Sequence, residues 1–221
     1  MLPYTFEVFS LDHIVSMIVI LFLFIIFLGY NDKIGIEDDS KTFLIVLSVL
    51  MIFLDLSEDL VRIFTGYYSI TKDLPLQLCS IGVYLAAFNL MYRNQTIFNL
   101  IFYWGFVGAT NAILTPDGDL FELRIFFFYS QGYHAALIFA VLWMMIKYDM
   151  RMDYRSILQV VIYTNIIVGL ITIVNHVLDS NYMFLRVMPN SISPFLMGEW
   201  PTYIIMAVSY THLTLPTTMW V

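Results

Sequence analysis

A chain of 221 residues that is 60% hydrophobic and 12% charged, with mean hydropathy +0.81, excludes a water-soluble fold, since soluble domains carry about 25% charged residues. The length fits one compact unit. A formal charge of −7 and the lack of a basic patch argue against nucleic acid as a partner, and a single cysteine, Cys79, excludes an internal disulfide or a multi-cysteine metal site.

The apolar runs are long and continuous, so they predict helices that cross a bilayer rather than strands of a barrel. Six spans are expected, at Leu11–Leu28, Thr42–Phe64, Leu74–Met91, Thr96–Thr115, Leu123–Ile146 and Ser156–Leu178. At 1.5 Å per residue such runs match a hydrocarbon core of about 30 Å. No basic residue precedes the first run and no small-residue cleavage site follows it, so insertion is expected to rely on span 1 itself.

Span 1 opens with Asp12 and His13, expected at the membrane interface. Span 2 carries Asp55, Glu58, Asp59 and Arg62 at spacings of three and four, which places them on one helix face. Arg62 and Glu58 suit an interfacial ion pair. Asp55 lies nine residues before Phe64, about 13 Å deeper, and is expected to be a buried polar residue. Span 3 opens Asp73-Leu74-Pro75, with Asp73 as the cap and Pro75 in the first turn, and then carries Gln77 and Cys79. In span 4, Gly105 and Ala109 predict a close helix crossing, and Asn111 lies near its end. Span 5 holds Gln131 and His134, and span 6 ends at Asn175 and His176.

The polar segment from Asp179 to Trp200 reads as a loop. Trp200 and Tyr203 suit an interface anchor for a seventh span, which loses its apolar character after about Val208. The stretch 209–221 reads as an adapter-like, non-native tail, leaving a single membrane-embedded domain over residues 1–208. The loops after spans 1, 3 and 5 hold Lys33, Lys41, Arg93, Lys147, Arg151 and Arg155. The other side holds Arg62, Lys72, Arg124 and Arg186. By the positive-inside rule the N-terminus is expected outside. Under that topology Asp55, Asp59, Gln77, Cys79, Asn111, His134 and Asn175 fall at similar depth toward one face. Polar groups in lipid are costly unless they face a cavity or one another, so a shared pocket is expected there.

Several ordered stretches carry a resemblance. They are Leu74-Pro75-Leu76-Gln77-Leu78-Cys79, Gly105 through Asp117, the aromatic run into His134, Asn181-Tyr182-Met183-Phe184-Leu185, and Gly198-Glu199-Trp200-Pro201-Thr202-Tyr203. With these the chain resembles the YwaF-like integral membrane family, relatives of eukaryotic transmembrane protein 164. The resemblance implies a multi-pass protein of a bacterial cell membrane with a Cys79/His134 pair. It further implies lipid acyl transfer or lipid ester hydrolysis, with membrane lipids as substrates and no cofactor or metal. In that chemistry a base takes the thiol proton and the sulfur attacks an ester carbonyl. Asp55 or Asp59 would orient the histidine, and Gln77, Asn111 or Asn175 would donate to the oxyanion. The alternative is a small-solute or proton-coupled carrier without covalent chemistry, because buried carboxylates also serve proton coupling.

Overall fold

A computed structural model describes residues 4–30, 41–189, 199 and 201–203. The expected seventh span, Trp200 and the tail 209–221 with His212 lie outside the described residues, as do Lys33 and most of the loop from 190 to 200. Among the described residues the fold is all-helical. The helices are α1 (Leu11–Tyr30), α2 (Lys41–Thr65), α3 (Leu78–Tyr92), α4 (Gln95–Ile101), α5 (Gly108–Leu114), α6 (Arg124–Lys147) and α7 (Ile157–Leu178). A π-helical turn at Phe102–Val107 joins α4 to α5 into one rod, so the described residues form six rods.

Four of these rods are long and apolar enough to cross a membrane: α1, the α4–α5 rod, α6 and α7. The expectation of six clear spans is therefore met only in part. α2 has 25 residues, but Asp55, Glu58, Asp59 and Arg62 crowd its second half. α3 has 15 residues, because the chain does not enter the helix at Leu74. Pro75 disfavours helical geometry at the residue before it, and Leu74 N–H donates instead to the Tyr182 hydroxyl at 3.0 Å. Asp73 does not cap α3. Its carboxylate accepts from Ser69 N–H at 2.7 Å and faces Arg62 at 3.6 Å.

Contacts between rod ends show the alternation of direction. The start of α1 meets the start of α6 through the Asp12–Arg124 ion pair, and the end of α5 through His13 and Ile113. The end of α2 meets the approach to α6 through Arg62 and Glu122. The segment after α7 meets the approach to α3 through Tyr182. Six rod ends thus gather on one acidic face. At the opposite face, Asn94 accepts from Ile97 N–H to cap α4, Gln95 donates to Arg151 O at 2.7 Å, and Arg93 lies 3.9 Å over the Tyr148 ring.

The core lies between α2, α3, the α4–α5 rod and α6, around Met51, Val83, Phe98, Leu137 and Trp143. The close crossing expected at Gly105 is there, and its partner is α6. A Cβ on Gly105 would lie 3.0 Å from Leu137 Cγ. α1 and α7 sit at the edge, with rows such as Ile18, Phe22 and Ile25, and Ile162, Ile166 and Ile173, exposed. An apolar row of that length on a membrane helix faces lipid.

Candidate functional site

Asp55, Glu58, Asp59 and Arg62 share one face of α2, as their spacing requires, and that face turns inward. Arg62 is more than an interfacial partner of Glu58. Its guanidinium donates from Nε and Nη2 to Glu58, from Nη1 to Glu122 at 2.7 Å, and from Nη2 to Leu120 O at 2.8 Å. It also stacks 4.0 Å over the Phe126 ring. With its side chain 6% exposed, one cation binds α2, the α5–α6 connection and α6 together. Neutralising several carboxylates in this way makes their burial tolerable.

Two turns deeper than Arg62, the Asp55 carboxylate is buried and faces the hydroxyls of Tyr84 and Ser80 on α3. Cys79 stands next to Ser80, as the second residue of α3. Its thiol donates to Trp104 O at 3.7 Å, within the π-helical turn. Gly108, where that turn gives way to α5, leaves the room: a Cβ there would lie 3.2 Å from the sulfur. π-turns in membrane helices recur at functional sites because they re-aim backbone groups.

His134 is buried on α6. Its Nδ1 lies 2.7 Å from the Ser130 carbonyl, which can only accept, so Nδ1 carries the proton. Nε2 is then the unprotonated nitrogen, the tautomer that a base requires. The adjacent Tyr133 ring packs 4.2 Å from the imidazole, and its phenol lies within electrostatic range of Cys79, Asp55 and Glu58. Among the described residues Cys79 and His134 make no hydrogen bond to each other.

The other expected residues separate. Asp59 is half-buried beside Asp55, Asp73 and Arg62. Asn111 directs its amide back to Val107 O at 3.0 Å on its own rod. Asn175 is committed to the loop after α7, donating to Tyr182 O and accepting from Tyr182 N–H and Ser180 Oγ. Gln77 Oε1 accepts from Met183 N–H at 2.8 Å. Gln77 and Asn175 thus hold a strap, 179–187, across the start of α3, where Tyr182 donates to Ile70 O at 2.7 Å. Met183 and Phe184 both take positive φ inside it. A cavity of about 420 Å³ opens on the acidic face, lined by Tyr4, Phe6, Pro116, Phe121 and Glu122. None of the seven expected residues lines that cavity.

His13 also departs from expectation. It is fully buried, accepting from Phe9 N–H on Nδ1 and donating from Nε2 to Ile113 O at 2.7 Å. Its place at the start of an apolar run masked this role. Tyr84, Tyr133 and Gly108 lay inside apolar stretches, where nothing in spacing or composition sets a pocket residue apart from a packing one.

Spanning rods, an acidic end and polar residues held inside the bundle define an integral helical membrane protein. The chain belongs to the TMEM164 family, whose model matches residues 8–219. That match also runs through most of the stretch 209–221. No curated protein and no solved structure matches the chain.

Proposed function

We propose that this TMEM164-family protein transfers or hydrolyses lipid acyl chains through Cys79 and His134. The observation that carries the proposal is His134. It is buried in a membrane helix and fixed by Ser130 O in the tautomer with a basic Nε2, with the Tyr133 ring packed against its imidazole. In this reading α2 and α3 also cross the bilayer, giving six crossings with a seventh beyond the described residues, and the acidic face is the outer one. Membrane lipids are the substrates, and the protein lies in the cell membrane.

The sulfur has Asp55 rather than a cation beside it, so it needs a base during attack. The Cys79 proton passes to His134 Nε2 as Sγ attacks the ester carbonyl carbon. The carbon–oxygen bond to glycerol breaks, and the leaving oxygen takes the proton from His134. The resulting thioester is attacked by a lysolipid hydroxyl, or by water, which gives its proton to Nε2. The carbon–sulfur bond breaks and the thiol is restored. Trp104 O and Gly108 border the sulfur, and Ser80 beside it is engaged by the Asp55 carboxylate. Asn175 and Gln77 act through the strap, which keeps the mouth of the site in shape.

The test is covalent capture. Protein in phospholipid nanodiscs is incubated with an activated-ester lipid probe and examined by intact mass. The expected result is one acyl group on Cys79. Cys79→Ala should lose it, and His134→Ala should slow it by about 10²-fold or more, the usual contribution of a positioned base. If Cys79→Ala transfers acyl chains as the parent does, the proposal fails and the carrier alternative takes its place.

A further inference from the structure

The cavity of about 420 Å³ on the acidic face is built from two stretches, one before α1 and one before α6. Tyr4, Phe6 and Phe121 supply its aromatic wall, and Asp119 and Glu122 its carboxylates. The Phe6 and Phe121 rings meet at 73°, with centroids 5.5 Å apart. Gly118 admits Phe6: a Cβ there would lie 3.3 Å from Phe6 Cδ1. Tyr4 is tied twice, donating from its N–H to Glu122 O at 3.4 Å and from its hydroxyl to Asp12 at 3.2 Å. Side-chain and backbone ties thus hold the two stretches together around the cavity.

Charge decides what fits there. The stretches 4–8 and 116–122 hold Glu7, Asp117, Asp119 and Glu122, and neither lysine nor arginine. Arg62 and Lys72 are paired with Glu122, and Arg124 with Asp12. Carboxylates in excess around a concave wall concentrate cations, and the rings select among them. A calcium ion takes about 6–8 oxygen ligands at close range, which a wall of three aromatic rings does not supply. A small organic cation suits both the chemistry and the size. Ring faces attract an alkylated ammonium, and small-molecule sites measure about 300–1,000 Å³. The lining residues precede Leu11 and Arg124, where two apolar helices begin. The cavity therefore stands at the level of head groups and water rather than of acyl chains.

We infer that this cavity binds a quaternary ammonium group, held against the rings of Tyr4, Phe6 and Phe121 with the exposed Asp119 carboxylate beside it. A free organic cation and the choline head group of a lipid both carry that group. Neither Cys79 nor His134 lines the cavity, so the inference stands apart from the acyl-transfer reading.

The experiment uses the full chain in nanodiscs of galactosyl diacylglycerol, a lipid without an ammonium group. Tetramethylammonium chloride is titrated in by isothermal calorimetry. The expected result is saturable heat that ammonium chloride and sodium chloride at the same ionic strength do not give. Tyr4→Leu should weaken binding about fivefold, the worth of one cation–π contact at a part-exposed ring. Tyr4→Phe keeps the ring and should bind as the parent does. Asp119→Asn should weaken binding about threefold, the worth of an exposed charge pair, whereas Glu7→Gln, which removes a carboxylate outside the cavity wall, should not. Unfolding midpoints without ligand control for folding. The same titration in phosphatidylcholine nanodiscs names the source. A weaker apparent affinity there places the lipid head group in the cavity, and an equal one leaves a free organic cation as the ligand. No saturable heat, equal heat from ammonium chloride, or affinity unchanged in both Tyr4→Leu and Asp119→Asn overturns the inference. So does a loss in Glu7→Gln equal to that in Asp119→Asn, which would reflect the general field of the acidic face.

Discussion

Arg62 shows how a residue on a legible helix face can hold a role that its own helix does not reveal. The i, i+4 spacing gives the Glu58 pair, but Glu122 and Leu120 arrive from a connection 58–60 positions away. Removing the guanidinium strands buried carboxylates, so Arg62→Ala should cost about 3–5 kcal/mol, read as an earlier unfolding midpoint in detergent micelles. Glu122→Gln keeps the shape and should cost distinctly less. Tyr4 gives a pH dependence. Burial, and then the Asp12 carboxylate beside it, push its phenol from an ordinary 10 up to about 12. The folded chain therefore holds a proton that the unfolded chain has released across that window, and stability falls as pH rises through it. The expected outcome is a shallower alkaline loss of stability in Tyr4→Phe than in the parent, measured as the difference between their unfolding curves from pH 9 to 12.

At the scale of elements, the π-helical turn and the strap shape the region around Cys79. Gly105 and Gly108 admit close neighbours in different ways: one receives Leu137 of α6 and the other the Cys79 sulfur. Gly105→Val forces bulk against Leu137 and should destabilise by about 1–3 kcal/mol, as overpacked cores do. Gly108→Ala presses on the sulfur by only tenths of an ångström. It should change the rate of Cys79 alkylation by a small neutral reagent while the unfolding midpoint moves little. The strap depends on Tyr182, whose hydroxyl accepts from Leu74 N–H and donates to Ile70 O. Tyr182→Phe leaves the part-buried Leu74 N–H and the Ile70 carbonyl without this partner. Hydrogen exchange across residues 70–77 should then rise, with the core of α6 unaffected. An unchanged exchange rate there would mean that the strap is held by Asn175 and Gln77 alone.

Across the whole molecule, six rod ends converge on the acidic face and the Arg93–Gln95 turn lies on the other. If the bundle spans the bilayer as proposed, these two faces meet different compartments. In a Cys79→Ala background, Asp119→Cys should react with a membrane-impermeant maleimide added outside intact cells. Arg151→Cys should react only after the membrane is opened. Equal labelling of both from outside would remove the six-crossing arrangement.

Composition alone determined that this is a helical membrane protein, because apolar runs of this length leave the backbone only one way to satisfy its hydrogen bonds in lipid. Spacing determined the inward face of α2, since a period of 3.6 fixes which residues share a side. The ordered short stretches pointed to the family. Only the tertiary structure decided that Gln77 and Asn175 serve the strap, that His13 is a buried tie between α1 and α5, and that α3 starts late. Three of these depend on a partner far along the chain: Met183 for Gln77, Ile113 for His13, Tyr182 for Leu74. An amide or imidazole looks the same in sequence whichever partner its hydrogen bonds find, so the roles of Gln77, Asn175 and His13 emerge only once the bundle has closed around them.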